Sequence, residues 1–434
     1  MKKIIVKISP YLLFLPYLIL FTIWVLISQT KGTFGDEGRY LLYAHNLIHG
    51  FYSPPVPDIN LSNGPGYPLL LVPFIVLKFP LISITLLNAL FYYFSIIVIF
   101  KALKEIVSFG MALAFSLVWA SYYIAYQSIP LIHTETFTYL LISILAFSVL
   151  KAFKPENLSN VKKYVLLSGF ILGYIVLTKM IFGYVLLIMT AGSGLLWIFN
   201  RNSLNYRKGI IILLVALLTT VPYLLYTYHL TGKIFCWGTG NSSLYWMSTP
   251  FEGEYGDWKG NLKLNPSING NYNIQGSDSI LRAHHKADFE EIYKYKGIER
   301  EDVYKRLAIR NIISHPIRYA ENVIYNIGRL VFHFPFSQAI QRPIILLILP
   351  LNGILLTLIL YSLIPTIVNW REIPMSVRFL LILVILYLGG SVLLSAYVRM
   401  FTVIVPILLL WIAFVLQNTL LIKLKYDKKP SLEP

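Results

Sequence analysis

The sequence predicts an all-α polytopic integral membrane protein with about ten crossings, an acidic first external loop and a small external cap. Three observations carry this. Of 434 residues, 56% are hydrophobic and only 13% charged; apolar runs recur from end to end; and one long polar segment interrupts them. A soluble domain is nearer ~25% charged, and a helix crossing a bilayer needs about 20 mostly apolar residues.

Taken in order, the runs place crossings at 8–28, 84–100, 108–126, 135–150, 164–178, 181–199, 209–228, 343–368, 376–396 and 401–422. Met1-Lys2-Lys3 precedes the first, and no small-residue cleavage pattern follows it, so it reads as a retained helix. The stretch from Gly66 to Phe79 is apolar but short, and ends at Lys78 and Pro80. It reads as an interfacial or re-entrant piece.

Charge sets the orientation. Lys101, Lys104, Lys151, Lys154, Lys162, Lys163, Arg201, Arg207, Lys208, Arg371 and Arg378 fall in alternate connections, and Lys423, Lys425, Lys428 and Lys429 in the tail. The opposite short turns hold only Lys179 and Arg399. Positive residues favour the cytoplasmic side, so both termini are expected there, in a plasma or inner membrane. Counting 66–79 as a crossing would invert everything downstream. This orientation also accounts for the net charge of +17. No basic, aromatic-interleaved face reads as a polynucleotide groove, so nucleic acid is not an expected partner. The single cysteine, Cys236, makes no internal disulfide and no multi-cysteine metal site.

Three parts follow: residues 1–229, an N-terminal transmembrane catalytic module with external loop 29–66; 230–342, an external loop or cap; and 343–434, C-terminal transmembrane helices with a basic cytoplasmic tail. From Asp278 to Phe334 the pattern is amphipathic, with Ile309, Ile312 and Ile313 on one helix. Ser314-His315-Pro316 interrupts it, since proline cannot continue the preceding ladder. Ile317, Val323, Ile324, Ile327 and Leu330 then recur at helical spacing, as in a cap resting on the membrane surface.

Acids are the informative class because they are few. Outside 230–342, the external face and the membrane hold only Asp36, Glu37, Asp58 and Glu135. In Gly35-Asp36-Glu37-Gly38-Arg39-Tyr40 the glycines let the backbone turn tightly. Two adjacent carboxylates at a membrane rim repel each other and lose hydration, a cost that a cation, a metal or a substrate hydroxyl would offset. The plainer reading is a solvated acidic turn. Glu135 is the one acid inside an otherwise apolar run, which points to function, although headgroup water is near. Beside it, His133 reads equally as a packed helix-end residue. Lys179 and Arg399 could snorkel to lipid phosphates or stabilise an anionic leaving group.

The run Asp36-Glu37-x-Arg39-Tyr40, completed by Leu47-Ile48-His49-Gly50, resembles the C-type glycosyltransferases of family 39, which include lipid A aminoarabinose transferases and protein O-mannosyltransferases. Pro65-Gly66-Tyr67-Pro68 is similar to that family's Pro-rich entry to the second external helix, and Leu177-Thr178-Lys179 to its Leu-Thr-Lys. Arg310 to Tyr319 looks like its late amphipathic stretch. One departure stands out: aminoarabinose transferases carry Lys-Pro in the first loop, whereas this chain reads Asn63-Gly64-Pro65.

The resemblance implies a polyprenyl-phosphate sugar as donor, an extracytoplasmic acceptor, and transfer with inversion. It makes Asp36 the candidate base with Glu37 and Arg39 shaping it, and Lys179 and Arg399 the candidate phosphate partners. Tyr40, His133 and Glu135 would bind sugar or acceptor. A divalent ion bridging Asp36 and Glu37 is a further option, since paired hard oxygens suit one. The rival reading is a polytopic transporter or lipid flippase. Those tend to place polar residues near the midplane, whereas the ionisable candidates here gather at one face.

Overall fold

The computed structural model describes residues 9–28, 33, 35–154, 158–199, 203–234, 237–260, 277–337 and 343–419, and among these every regular element is an α-helix. The chain opens with α1 (Pro10–Leu13) and α2 (Leu15–Ile27). The expected first crossing is thus broken at Phe14, because Pro16 removes an amide donor and its ring obstructs the preceding turn. Next come α3 (Asp36–Ile48) and α4 (Gly66–Val76), then α5 (Ile82–Leu103), α6 (Phe109–Ala120), α7 (Tyr123–Tyr126), α8 (Glu135–Ala152), α9 (Leu158–Thr178), α10 (Ile181–Phe199) and α11 (Leu204–Thr231). A second polar stretch holds α12 (Gly238–Met247), α13 (Ser277–Ile292), α14 (Gly297–Ser314) and α15 (Pro316–Phe332). The chain ends with α16 (Ile345–Val368), α17 (Met375–Val392) and α18 (Val398–Thr419).

Among the described residues eight of the ten expected crossings each fall on one helix, and 8–28 and 108–126 are each divided between two. Among the described residues seven are long and apolar enough to span a bilayer, while Leu15–Ile27, Phe109–Ala120 and Ile181–Leu196 are shorter. Gly66–Val76, expected to be too brief to cross, has 11 residues. The run 108–126 divides at Ser121-Tyr122, without a proline, where the Tyr122 hydroxyl donates to Asn352 Oδ1 at 2.5 Å.

The centre of the bundle is α8, packed against α5, α9, α17 and α18. Its buried face is continuous from Glu135 to Ala152. Tyr92, Trp119 and Tyr139 pack edge-on around it, and their polar tips are paired: the Tyr92 hydroxyl with the Trp119 carbonyl at 2.6 Å, and Trp119 Nε1 with Ser95 Oγ at 3.0 Å. Such pairing is required where no water can substitute. Outer helices α11 and α16 expose Leu218, Leu225, Ile354 and Ile364, the apolar surface that lipid would cover.

At one end of the bundle, α12, α13 and α14 form a satellite core around Trp246, Phe289 and Tyr304. The predicted break at His315 is present. Of the expected apolar stripe, Ile309, Ile313, Ile317, Ile324 and Ile327 are exposed, whereas Leu330 is buried against the bundle.

Candidate active site

Gly35 adopts φ 57°, a conformation that favours glycine, and turns the chain into the first turn of α3. The acidic segment is therefore a helix start, where carboxylates complement the exposed amides. Helical spacing separates the two acids. Asp36, Arg39 and Tyr40 share one face at i, i+3 and i+4 and line a cavity of about 190 Å³. Glu37, one position on, points elsewhere: its buried carboxylate accepts the Ile132 amide at 2.8 Å, and it is absent from the cavity wall.

Two glycines bring the first loop against α9. A Cβ on Gly64 would collide with the Leu177 carbonyl, and one on Gly66 with Thr178. The Tyr174 hydroxyl donates to the Gly66 carbonyl at 2.9 Å. This close approach sets Asn63 and Gly64 beside Thr178 and Lys179 on the wall. Asn63, in the stretch that departs from Lys-Pro, accepts from Arg39 Nε at 2.6 Å and donates to the Tyr40 hydroxyl at 3.2 Å. It holds the Arg39 side chain rather than replacing a cation.

Asp36, Arg39, Tyr40, Glu135, Lys179 and Arg399, drawn from both ends of the chain, all line this one cavity. The Asp36 carboxylate takes Arg39 at 2.5 Å on Oδ1 and Arg399 at 3.0 Å on Oδ2. Glu135, 2% exposed, pairs with Lys179 at 3.0 Å and lies 3.9 Å from Arg399. Its other oxygen has no hydrogen-bond partner, and His133 Nδ1 stands 3.9 Å away, outside the wall. Three cations thus face two carboxylates, leaving a positive excess that suits an anion.

Burial alone would raise the Asp36 carboxyl; Arg399 and Arg39 outweigh it and hold the group below the ordinary carboxylate value. Burial pushes the Tyr40 phenol well up, so it stays protonated. Burial likewise lowers His133, favouring neutral imidazole. A bridging metal does not fit this arrangement. Both Asp36 oxygens are taken by guanidinium groups and Glu37 faces a backbone amide. Among the described residues no group of three or more metal-binding side chains is assembled.

Sequence inspection missed Asn326 and Arg329 of α15. Both are fully buried. Asn326 Nδ2 donates to the carbonyls of Ser391, Val392 and Leu394, and its Oδ1 accepts the Ala396 amide. Arg329 donates to the carbonyls of Ala396, Tyr255, Gly256 and Pro335. Together they fasten the α17–α18 turn, which supplies Ser391, Leu394, Ser395 and Tyr397 to the wall and leads into Arg399. Amphipathic spacing in 316–332 was the available signal, but their partners are backbone groups, which leave no mark in the sequence.

No family model and no curated protein matches the chain. Among solved structures it is similar to the Archaeoglobus fulgidus oligosaccharyltransferase tethered with an acceptor peptide: TM-score 0.50 and 13% identity over 94% of this chain and 49% of that one. The chain thus spans about half the length of that enzyme and shares its fold. ArnT from Cupriavidus metallidurans, bound to undecaprenyl phosphate, aligns at TM-score 0.41 and 12% identity over 94% of this chain and 77% of that one.

Proposed function

We propose that this chain, a multi-pass membrane protein with the fold of an archaeal oligosaccharyltransferase, moves a sugar from a polyprenyl-phosphate donor to an extracytoplasmic hydroxyl, on protein, lipid or glycan. The observation that carries this is the convergence of Asp36 with Glu135, Lys179 and Arg399 on one cavity. Its wall is mostly apolar and carries Arg39, Lys179 and Arg399 against two carboxylates, which suits a phosphate carried on a hydrocarbon chain.

In this reading the acceptor oxygen attacks the anomeric carbon as the bond from that carbon to the phosphate oxygen breaks. The acceptor proton passes to Asp36, and the bonding pair leaves with polyprenyl phosphate, inverting the anomeric centre. Lys179 and Arg399 would exchange part of their carboxylate contacts for the phosphate as charge builds there. Asp36, held below its ordinary range, is a weak base. The cations on the departing phosphate therefore supply most of the assistance, and proton transfer comes late. Tyr40 and Glu135 would orient the sugar, and Glu37, with His133 nearby, would support the wall from behind.

One-sidedness supports an extracytoplasmic site. Glu135 opens α8, while Lys151 and Lys154, near its far end about 27 Å away, pair with Glu105. Positive residues favour the cytoplasm, so both termini lie there and the cavity opens on the other face. The three-part division has the same basis: the 1–229 module and the C-terminal helices share the cavity, and the 230–342 segment caps it, with exposed isoleucines of α14 and α15 resting on lipid.

The test uses purified full chain in detergent, without any gradient, given radiolabelled polyprenyl-phosphate sugar and a cell-envelope extract as acceptor. Release of free polyprenyl phosphate with label in a product of inverted anomeric configuration is expected. Intact donor under all conditions would favour a transporter.

A further inference from the structure

A second cavity, of about 370 Å³, lies between the first external loop and the cap, and it shares Arg39, Ser62, Thr239 and Trp258 with the first. Its far wall comes from α14, whose start is drawn against the loop: a Cβ on Gly297 would lie 2.7 Å from the Pro57 carbonyl oxygen. An ion pair of 3.0 Å between Lys296 and Asp58 closes the rim.

The two cavities differ in chemistry. The first is mainly apolar, whereas the second is mainly polar, with Asn60, Ser62, Thr239 and Ser242 offering hydroxyls and an amide. Ligand sites in this size range fix orientation through a few placed polar groups. Trp258 lines both cavities where they meet, and Glu301 lines the α14 wall. The Glu301 Oε2 is buried with no hydrogen-bond partner, a costly state that rotation of the carboxyl toward a ligand hydroxyl would relieve. Burial also lifts this carboxyl to about 8, so near neutral pH it both donates and accepts.

We infer that this second cavity is a saccharide subsite, binding a hydroxyl-rich glycan through Glu301 and Trp258 and presenting one of its hydroxyls past Arg39 to Asp36. The inference rests on the transferase reading and narrows its acceptor from any hydroxyl to a glycan. Polar groups from the loop, α12 and α14 match the hydroxyls of a sugar ring, and Ile59, Leu61, Ile298 and Trp258 offer apolar surface to its C–H groups. A peptide would need slots for its side chains, and a lipid acceptor an apolar channel.

Saturation-transfer NMR on the full chain in nanodiscs tests this, with methyl α-mannoside, methyl β-N-acetylglucosaminide and maltotriose as probes. A serine-containing tetrapeptide and glycerol phosphate serve as rivals. At least one saccharide should bind, and Glu301→Ala should weaken it about tenfold, the loss of one hydrogen bond to a strongly polar group. Glu301→Gln, which keeps a neutral donor and acceptor, should restore most of the affinity. Absence of saccharide signal above empty nanodiscs, equal signals in wild type and Glu301→Ala, or binding of the peptide or glycerol phosphate alone would overturn the subsite. The transferase reading is scored separately by Asp36→Asn. That variant should lose transfer yet bind the saccharide as wild type does.

Discussion

Arg399 and Asp36, 363 positions apart in the chain, form an ion pair of 3.0 Å. Through its other terminal nitrogen Arg399 also approaches Glu135 to 3.9 Å. One guanidinium therefore links the acid of the first loop to the acid that opens the central helix, and the cavity is built around that link.

Removing the link should change both rate and its pH dependence. Arg399→Ala should lower kcat by about 10² or more, the usual cost of losing a fixed donor to developing charge. The sign of the pH effect follows from the cause. Asp36 is held ionised below the ordinary value of 3.8 by its cations, so the acid limb of kcat/KM should lie below that value in wild type. Without Arg399 the burial cost is less opposed, and the limb should move upward. Initial rates across an acid pH series check this.

Glu135 and Lys179 form a buried pair, and breaking it from one side strands a charge. Either Glu135→Ala or Lys179→Met should cost about 3–5 kcal/mol, read as a lowered melting midpoint in detergent. The double variant should regain part of the loss, because neither charge is left alone. If the double variant is as unstable as the sum of the singles, the pair is not coupled.

Asn326 and Arg329 should act on the site only through the α17–α18 turn. Asn326→Ala leaves carbonyls of Ser391, Val392 and Leu394 without that donor, each costing about 1–3 kcal/mol if it stays buried. Arg329→Lys should retain more stability than Arg329→Ala, since an ammonium keeps some of the donors. In a Cys236→Ser background, a cysteine placed at Ser395 should react faster with a thiol reagent once Arg329 is lost. Unchanged labelling would confine Arg329 to a role in the cap.

The helices were largely legible because length and apolarity mark a spanning segment directly, as from Ile82 to Leu103. The break at Phe14 could have been read from Pro16; the one at Ser121-Tyr122 could not, since it accompanies the distant contact with Asn352. At the site, scarcity of acids was enough to single out Asp36 and Glu135, which do share a cavity with Lys179 and Arg399. The divergence of Asp36 and Glu37 was hidden while 36–40 was read as a turn. As a helix start the same residues are separated by about 100° around the axis. Asn63 and Arg329 were illegible for another reason: their roles come from partners that only folding brings near. Cys236 and the basic tail lie outside the described residues.

The most direct measurement is transfer of labelled sugar from a polyprenyl-phosphate donor by purified Asp36→Asn protein beside wild type, with melting midpoints recorded for both. Asn keeps the size of Asp36 but cannot take a proton, so transfer should fall by about 10² while the protein remains folded. Wild-type transfer by a folded Asp36→Asn protein would contradict the account.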